Sequence, residues 1–158
     1  MQTFSNMQRN LTNQNFISYI FWTLLFTGYI CLSSIYIILP PMLGVLLVLF
    51  EKSLQQKNSS LLFFIIISII LLETQQGFLV FSLLVFFLLM HKFVIPKIDQ
   101  DINSPKLRNF LYVFLTYTGY ILFVNLISQV FILESLHVNF FYTVFYIVIE
   151  FFIVSIFL

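Results

Sequence analysis

The sequence predicts an all-α fold, a polytopic transmembrane helical bundle with about six spans and short third and fourth helices. Hydrophobic residues make up 61% of the 158 residues and charged residues only 8%, whereas an average soluble domain has about 25% charged residues. Seven basic and six acidic side chains are too few to give every helix a polar face, and the mean hydropathy is +1.04. We therefore expect a single integral membrane domain over the whole chain.

Four apolar runs set the number of spans, because a helix needs about 20 residues to cross the hydrocarbon core. The last two runs give one span each, over 110–133 and 138–158. The first run, 16–50, is too long for one span and contains Pro40-Pro41, which should break or begin a helix. This run predicts spans over 16–34 and 37–54, with Pro40 as the alternative start of the second span. The run shows no small-residue cleavage site of a signal peptide, so we expect the protein to retain it.

The run 61–90 holds the polar stretch "ETQQG", Glu73 to Gly77, near its middle. One straight helix would bury Glu73 in hydrocarbon. A hairpin would instead join short helices over 61–72 and 78–94 through a polar turn that ends at Gly77. Charge placement favours the hairpin, because with six spans every lysine and arginine falls on one side, as the positive-inside rule requires. These residues are Arg9, Lys52, Lys57, Lys92, Lys97, Lys106 and Arg108.

The same count predicts a cytoplasmic linker over 95–109 and places both termini in the cytoplasm, with the chain in the cell inner (cytoplasmic) membrane. Polar side chains inside the spans are the candidate partner or ligand contacts, because polar groups in lipid need partners. Glu73, Gln75, Gln76 and Gly77 form the first set, and their simplest role is a turn at the outer surface. Asn125 and Gln129, on one helix face with Thr118, would make interhelical hydrogen bonds, and Glu150 would be an interfacial carboxylate. A functional role is the alternative for each set.

The sequence carries no recognisable catalytic or metal-binding pattern. A single cysteine, Cys31, excludes an internal disulfide and a cysteine-based metal site. His137 and Glu134 supply two of the three or more ligands that a metal needs, and His91 reads as an interfacial residue at a helix end. Phosphate-binding glycine loops and the H-E-x-x-H motif are missing. We therefore expect a chain that is not an enzyme and needs no cofactor or metal, and the net charge of +1 argues against a nucleic-acid partner.

The layout and two local features resemble the rod-shape-determining protein MreD family of bacterial inner-membrane proteins. In that family a proline precedes the second span, much as in "LPPMLGVLLVLF", and the third span ends in an acidic residue followed by a small polar turn with glycine. "IILLETQQGFLVFSLL" is similar, with Glu73 in the acidic place and Gly77 in the glycine place. The resemblance covers roughly 35–95 and, in topology, the whole chain, although the family usually has Asp in the place of Glu73 and a longer turn.

The resemblance implies a non-enzymatic scaffold or assembly subunit of the complex that builds the lateral cell wall and determines cell shape. Its partners would be the lipid bilayer and other integral membrane proteins, contacted through packed helices. The family is also similar in fold to substrate-binding components of vitamin transporters. A substrate-binding or accessory component of a small-molecule transporter is therefore the alternative function.

Overall fold

The computed structural model describes residues 20–22, 24–77, 79–131 and 139–157. They are helical apart from short connections, and no strand occurs among them, which confirms the all-α prediction. The N-terminal segment with Arg9 and the predicted outer loop with Glu134 and His137 lie outside the described residues. The helices are α1 (Ile20–Ile35), α2 (Leu43–Gln55), α3 (Ser59–Gln76), α4 (Ser82–Leu89), α5 (Ile95–Asp101), α6 (Pro105–Phe131) and α7 (Phe140–Phe157), and a π-helical turn (Met90–Val94) joins α4 to α5.

Three of the predicted span boundaries differ because the chain uses left-handed residues to begin and end helices. The stretch predicted as a turn at Glu73–Gly77 is helical as far as Gln76, and Gly77 ends α3 with φ 71°. Glycine adopts this conformation without a steric penalty, so the helix continues up to it. α2 begins only at Leu43, after Met42 with φ 61°, and α4 begins at Ser82, after Phe81 with φ 68°.

The segment 95–109, predicted as a linker, contains α5 and the first turn of α6. The π turn keeps the backbone helical from α4 into α5, so this rod is roughly 30 Å long. Pro96 lies at the start of α5 and Pro105 is the first residue of α6. Both positions suit proline, because the first turn of a helix does not need the amide hydrogen that proline lacks.

α2 occupies the centre of the bundle, in contact with α3, α6 and α7. Its fully buried Leu47 belongs to a core that includes Ile69 of α3 and Val113 of α6. The rings of Phe50 and Phe87 lie 5.8 Å apart and extend this core to α4. Within the described residues, two helices are long and apolar enough to cross a membrane by length and composition, Ser59–Gln76 and Pro105–Gln129.

Gly44 marks the closest approach among α2, α6 and α7. A Cβ atom there would lie 2.8 Å from Oε2 of Glu150 and 3.0 Å from both γ carbons of Val113. Neither neighbour can retreat easily, since both are buried. Glycine at this position therefore lets the first turn of α2 enter the bundle.

We expect Gly44→Ala to destabilise the bundle by about 1–3 kcal/mol, the usual cost of overpacking, and to lower the midpoint of thermal unfolding in detergent. Gly28→Ala is the matched control, because a Cβ there meets nothing within 4 Å and alanine favours helix. Equal unfolding midpoints for the two variants would contradict the close approach.

Candidate functional site

Glu73 lies in the last turn of α3, fully buried, and its carboxylate caps the start of α4. Oε2 accepts a hydrogen bond from the backbone N–H of Phe81 at 2.7 Å, and Oε1 accepts one from the N–H of Leu83 at 2.6 Å. The first N–H groups of a helix have no partner within the helix and carry its partial positive charge. A carboxylate in the middle of an apolar run thus satisfies two amides that have no partner within α4.

The cap is connected to α6 through the side chain of Ser82. Its hydroxyl lies 3.4 Å from Oε1 of Glu73 and 2.9 Å from the hydroxyl of Tyr120. The other residues of the polar stretch lie further out: Gln75 is exposed, and Nε2 of Gln76 donates to the hydroxyl of Ser33 at 3.4 Å. Of the four residues predicted for this site, Glu73 alone reaches the interior, whereas Gly77 ends the helix.

Glu150 of α7 does for α2 what Glu73 does for α4. It is fully buried, and Oε2 accepts from the backbone N–H groups of Gly44 at 2.7 Å and Val45 at 3.3 Å. Oε1 accepts a hydrogen bond from the hydroxyl of Tyr117 in α6. The carboxylate is thus enclosed at the N-terminal end of α2, opposite the end that carries Lys52, and joins three helices.

Tyrosine hydroxyls satisfy the non-helical backbone that precedes α2. The hydroxyl of Tyr29 donates to the carbonyl of Pro40 at 2.8 Å, and that of Tyr146 donates to the carbonyl of Ile37. The ring of Tyr146 lies 6.2 Å from that of Tyr117, the tyrosine that donates to Glu150. Backbone carbonyls outside helices need other hydrogen-bond partners, and these tyrosines supply two of them.

A third polar cluster lies at the other end of α2, and sequence reasoning missed it. Oε2 of buried Glu51 is 2.7 Å from Nδ1 of His91, and Oε1 accepts from Nε2 of Gln55 at 3.1 Å. His91, expected to be an interfacial residue at a helix end, lies in the π turn and pairs with this carboxylate. π turns frequently occur at functional sites. The amino-acid pattern did not predict the π turn, so this signal was missing from the sequence.

The polar stripe predicted on the fifth span, Asn125 and Gln129 with Thr118, lies on α6 and belongs to none of the three clusters. Oδ1 of Asn125 is buried and has no hydrogen-bond partner among the described residues, while Gln129 is exposed on the same face of α6. Thr118 donates within its own helix, to the carbonyl of Phe114 at 2.8 Å. No group of three or more His, Cys, Asp or Glu side chains that could hold a metal occurs in the described part of the chain.

The chemistry available to the two buried glutamates follows from their partners. Both oxygens of Glu73 and of Glu150 already accept hydrogen bonds from backbone N–H groups or hydroxyls of this chain. A carboxylate held this way fixes the position of a helix and is poorly placed to abstract a proton from a substrate. Among the described residues, Oδ1 of Asn125 is a buried side-chain oxygen that still lacks a partner.

We expect Glu73→Gln to loosen the start of α4. The glutamine amide keeps the shape but has one acceptor oxygen, so one of the two N–H groups loses its bond at a cost of about 1–3 kcal/mol. Hydrogen exchange at the amides of Phe81 and Leu83 should accelerate by about tenfold or more. The amides of Gly44 and Val45 are the internal control, because Glu150 caps them; unchanged exchange at Phe81 and Leu83 would refute the cap.

No protein-family model, curated protein or solved structure matches the chain. Its function must therefore be inferred from its own sequence and geometry. Three features bear on the function: the helix starts capped by Glu73 and Glu150, the Glu51–His91 pair, and the polar face of α6 with Asn125 and Gln129.

Proposed function

We propose that the chain is a multi-pass membrane protein of about six crossings that acts without catalysis, as a scaffold or assembly subunit packed against other membrane proteins. Large apolar side chains on its outer surface support the membrane location. Phe141 is 82% exposed, Ile35 and Ile156 are each 71% exposed, and Trp22 is 62% exposed. Soluble monomers rarely expose apolar surface on this scale, whereas lipid covers it at no cost.

The face of α6 carries the proposal of a partner. Leu122 and Leu126 are 66% and 63% exposed. Beside them lie the half-buried Asn125, whose Oδ1 is buried without a partner among the described residues, and the exposed amide of Gln129. Amides at four-residue spacing share one side of a helix. In lipid they favour a neighbouring helix that can hydrogen-bond to them, at roughly 0.6 kcal/mol per contact.

The resemblance to the MreD family suggests where such a partner acts. An inner-membrane location with both termini cytoplasmic would fit a subunit of the complex that builds the lateral cell wall. In that setting the α6 face would contact a transmembrane helix of another component. Loss of rod shape on deletion of the chain would support this assignment.

The interrupted helices favour one other candidate, a component of a small-molecule transporter. Transporters often bind substrate at broken helices whose N-termini point to anionic groups near the middle of the membrane. Here the N-termini of α2 and α4 already hold Glu150 and Glu73. A bound small molecule that co-purifies with the chain would favour this alternative over the scaffold.

The six-span topology predicts that Gln55 and Gln100, both exposed, face the same compartment. Single cysteines at these positions, in a Cys31→Ser background, should react with an impermeant maleimide in inside-out vesicles and not in intact cells. The replacement of Cys31 is needed because its thiol is exposed. Labelling of the two positions from opposite sides would mean that 61–90 crosses only once.

A photo-crosslinker tests the α6 face directly. At Leu126 it should capture a membrane protein, and Asn125→Leu with Gln129→Leu should lower the yield about sevenfold, from roughly 0.6 kcal/mol per amide. The same probe at Val148, 46% exposed on α7, is the matched control and should capture lipid. Equal protein yields at the two positions, or no effect of the two leucines, would remove the support for this face.

A further inference from the structure

Lysines collect at the end of the bundle that contains the last turn of α2, the π turn, α5 and the first turn of α6. The contact between Glu51 and His91 ties the last turn of α2 to the π turn. The hydroxyl of Tyr112 in α6 donates to Oδ1 of Asp99 in α5 at 2.5 Å, which ties α5 to the start of α6. Four exposed lysines lie on these segments and a fifth, Lys57, lies in the turn between α2 and α3. We call them the lysine surface: Lys52, Lys57, Lys92, Lys97 and Lys106.

The acidic side chains of the described chain are withdrawn from this surface. Glu73 and Glu150 cap helices in the interior, and Glu51 is buried against His91. Asp99 is engaged by Tyr112 and by Arg108, whose Nη1 lies 3.5 Å from Oδ1. Five exposed lysines therefore face one exposed aspartate, Asp101. The net charge of +1 conceals a strongly positive end.

Apolar side chains border the lysines and identify the kind of partner. Phe93 is 57% exposed and follows Lys92, whose ammonium lies 5.5 Å from the centre of that ring. Leu107 is 51% exposed and follows Lys106. An acidic protein or a nucleic acid would match the charge alone. A phospholipid matches both parts, because its phosphate can meet the lysines while its acyl chains cover the adjacent apolar side chains.

We propose that the lysine surface binds anionic phospholipid headgroups of one leaflet, an inference that rests on the proposed membrane location. The attraction acts between the lysine ammonium groups and lipid phosphates, and it falls off within a Debye length. The lipid would hold α5 and the π turn at the membrane surface. His91 and its contact with Glu51 would then lie at the level of the headgroups.

Reconstitution into phosphatidylcholine vesicles containing spin-labelled phosphatidylglycerol tests the proposal. We expect an association preference for the anionic lipid of at least about tenfold over labelled phosphatidylcholine, from several lysines acting together. It should collapse at ~1 M salt, where the Debye length is about 3 Å. Lys92→Gln, Lys97→Gln and Lys106→Gln together should abolish most of the preference, and the corresponding arginine variants should keep it.

The remaining outcomes separate the explanations. Equal association of the two lipids with wild-type protein would overturn the proposal and leave an acidic protein as the partner to seek. Loss of preference on addition of inorganic phosphate at constant ionic strength would also overturn it, since the surface would then bind free phosphate. Failure of the protein to incorporate into vesicles would instead defeat the proposed membrane function, and the glutamine variants must incorporate normally for their result to count.

Discussion

The backbone N–H groups at the starts of α2 and α4 impose the main physical constraint on this bundle. The first amides of both helices bond to carboxylates that are fully buried, and a buried amide without a partner costs about 1–3 kcal/mol. The chain meets this requirement with two buried glutamates, which also complement the positive ends of the helices. The positions of α3, α6 and α7 around these helices follow from the need to deliver and enclose those carboxylates.

The two helix starts share more than their caps. Each follows a non-glycine residue in the left-handed conformation, Met42 and Phe81, which costs roughly 1–2 kcal/mol. Each carboxylate binds two successive or nearby amides in the first turn. The hydrogen bonds offset the strain, and each helix starts beside a fully buried carboxylate.

Part of this structure could be predicted from the sequence, because it depends on composition and on the local conformational preferences of proline and glycine. Composition indicates an all-helical chain, Pro40-Pro41 interrupts the first run, and Gly77 ends α3 as a glycine should. The partners of Glu73 and Glu150 were not readable, because apolar sequence does not reveal which helix start lies beside which carboxylate. The π turn and the pairing of His91 with Glu51 were hidden for the same reason: each depends on the register between helices, which no periodicity within one helix encodes.

The two capping glutamates lie at very different distances along the chain from the amides that they bind. This difference affects the order in which the bundle can assemble during synthesis. Glu73 binds amides only eight to ten residues further along the chain, so the α3–α4 pair can complete itself as soon as both segments have left the ribosome. Glu150 is 106 residues from Gly44, so the start of α2 stays without its cap until α7 has been synthesised. A chain truncated before α7 would keep the Glu73 cap of α4 and lack the Glu150 cap of α2.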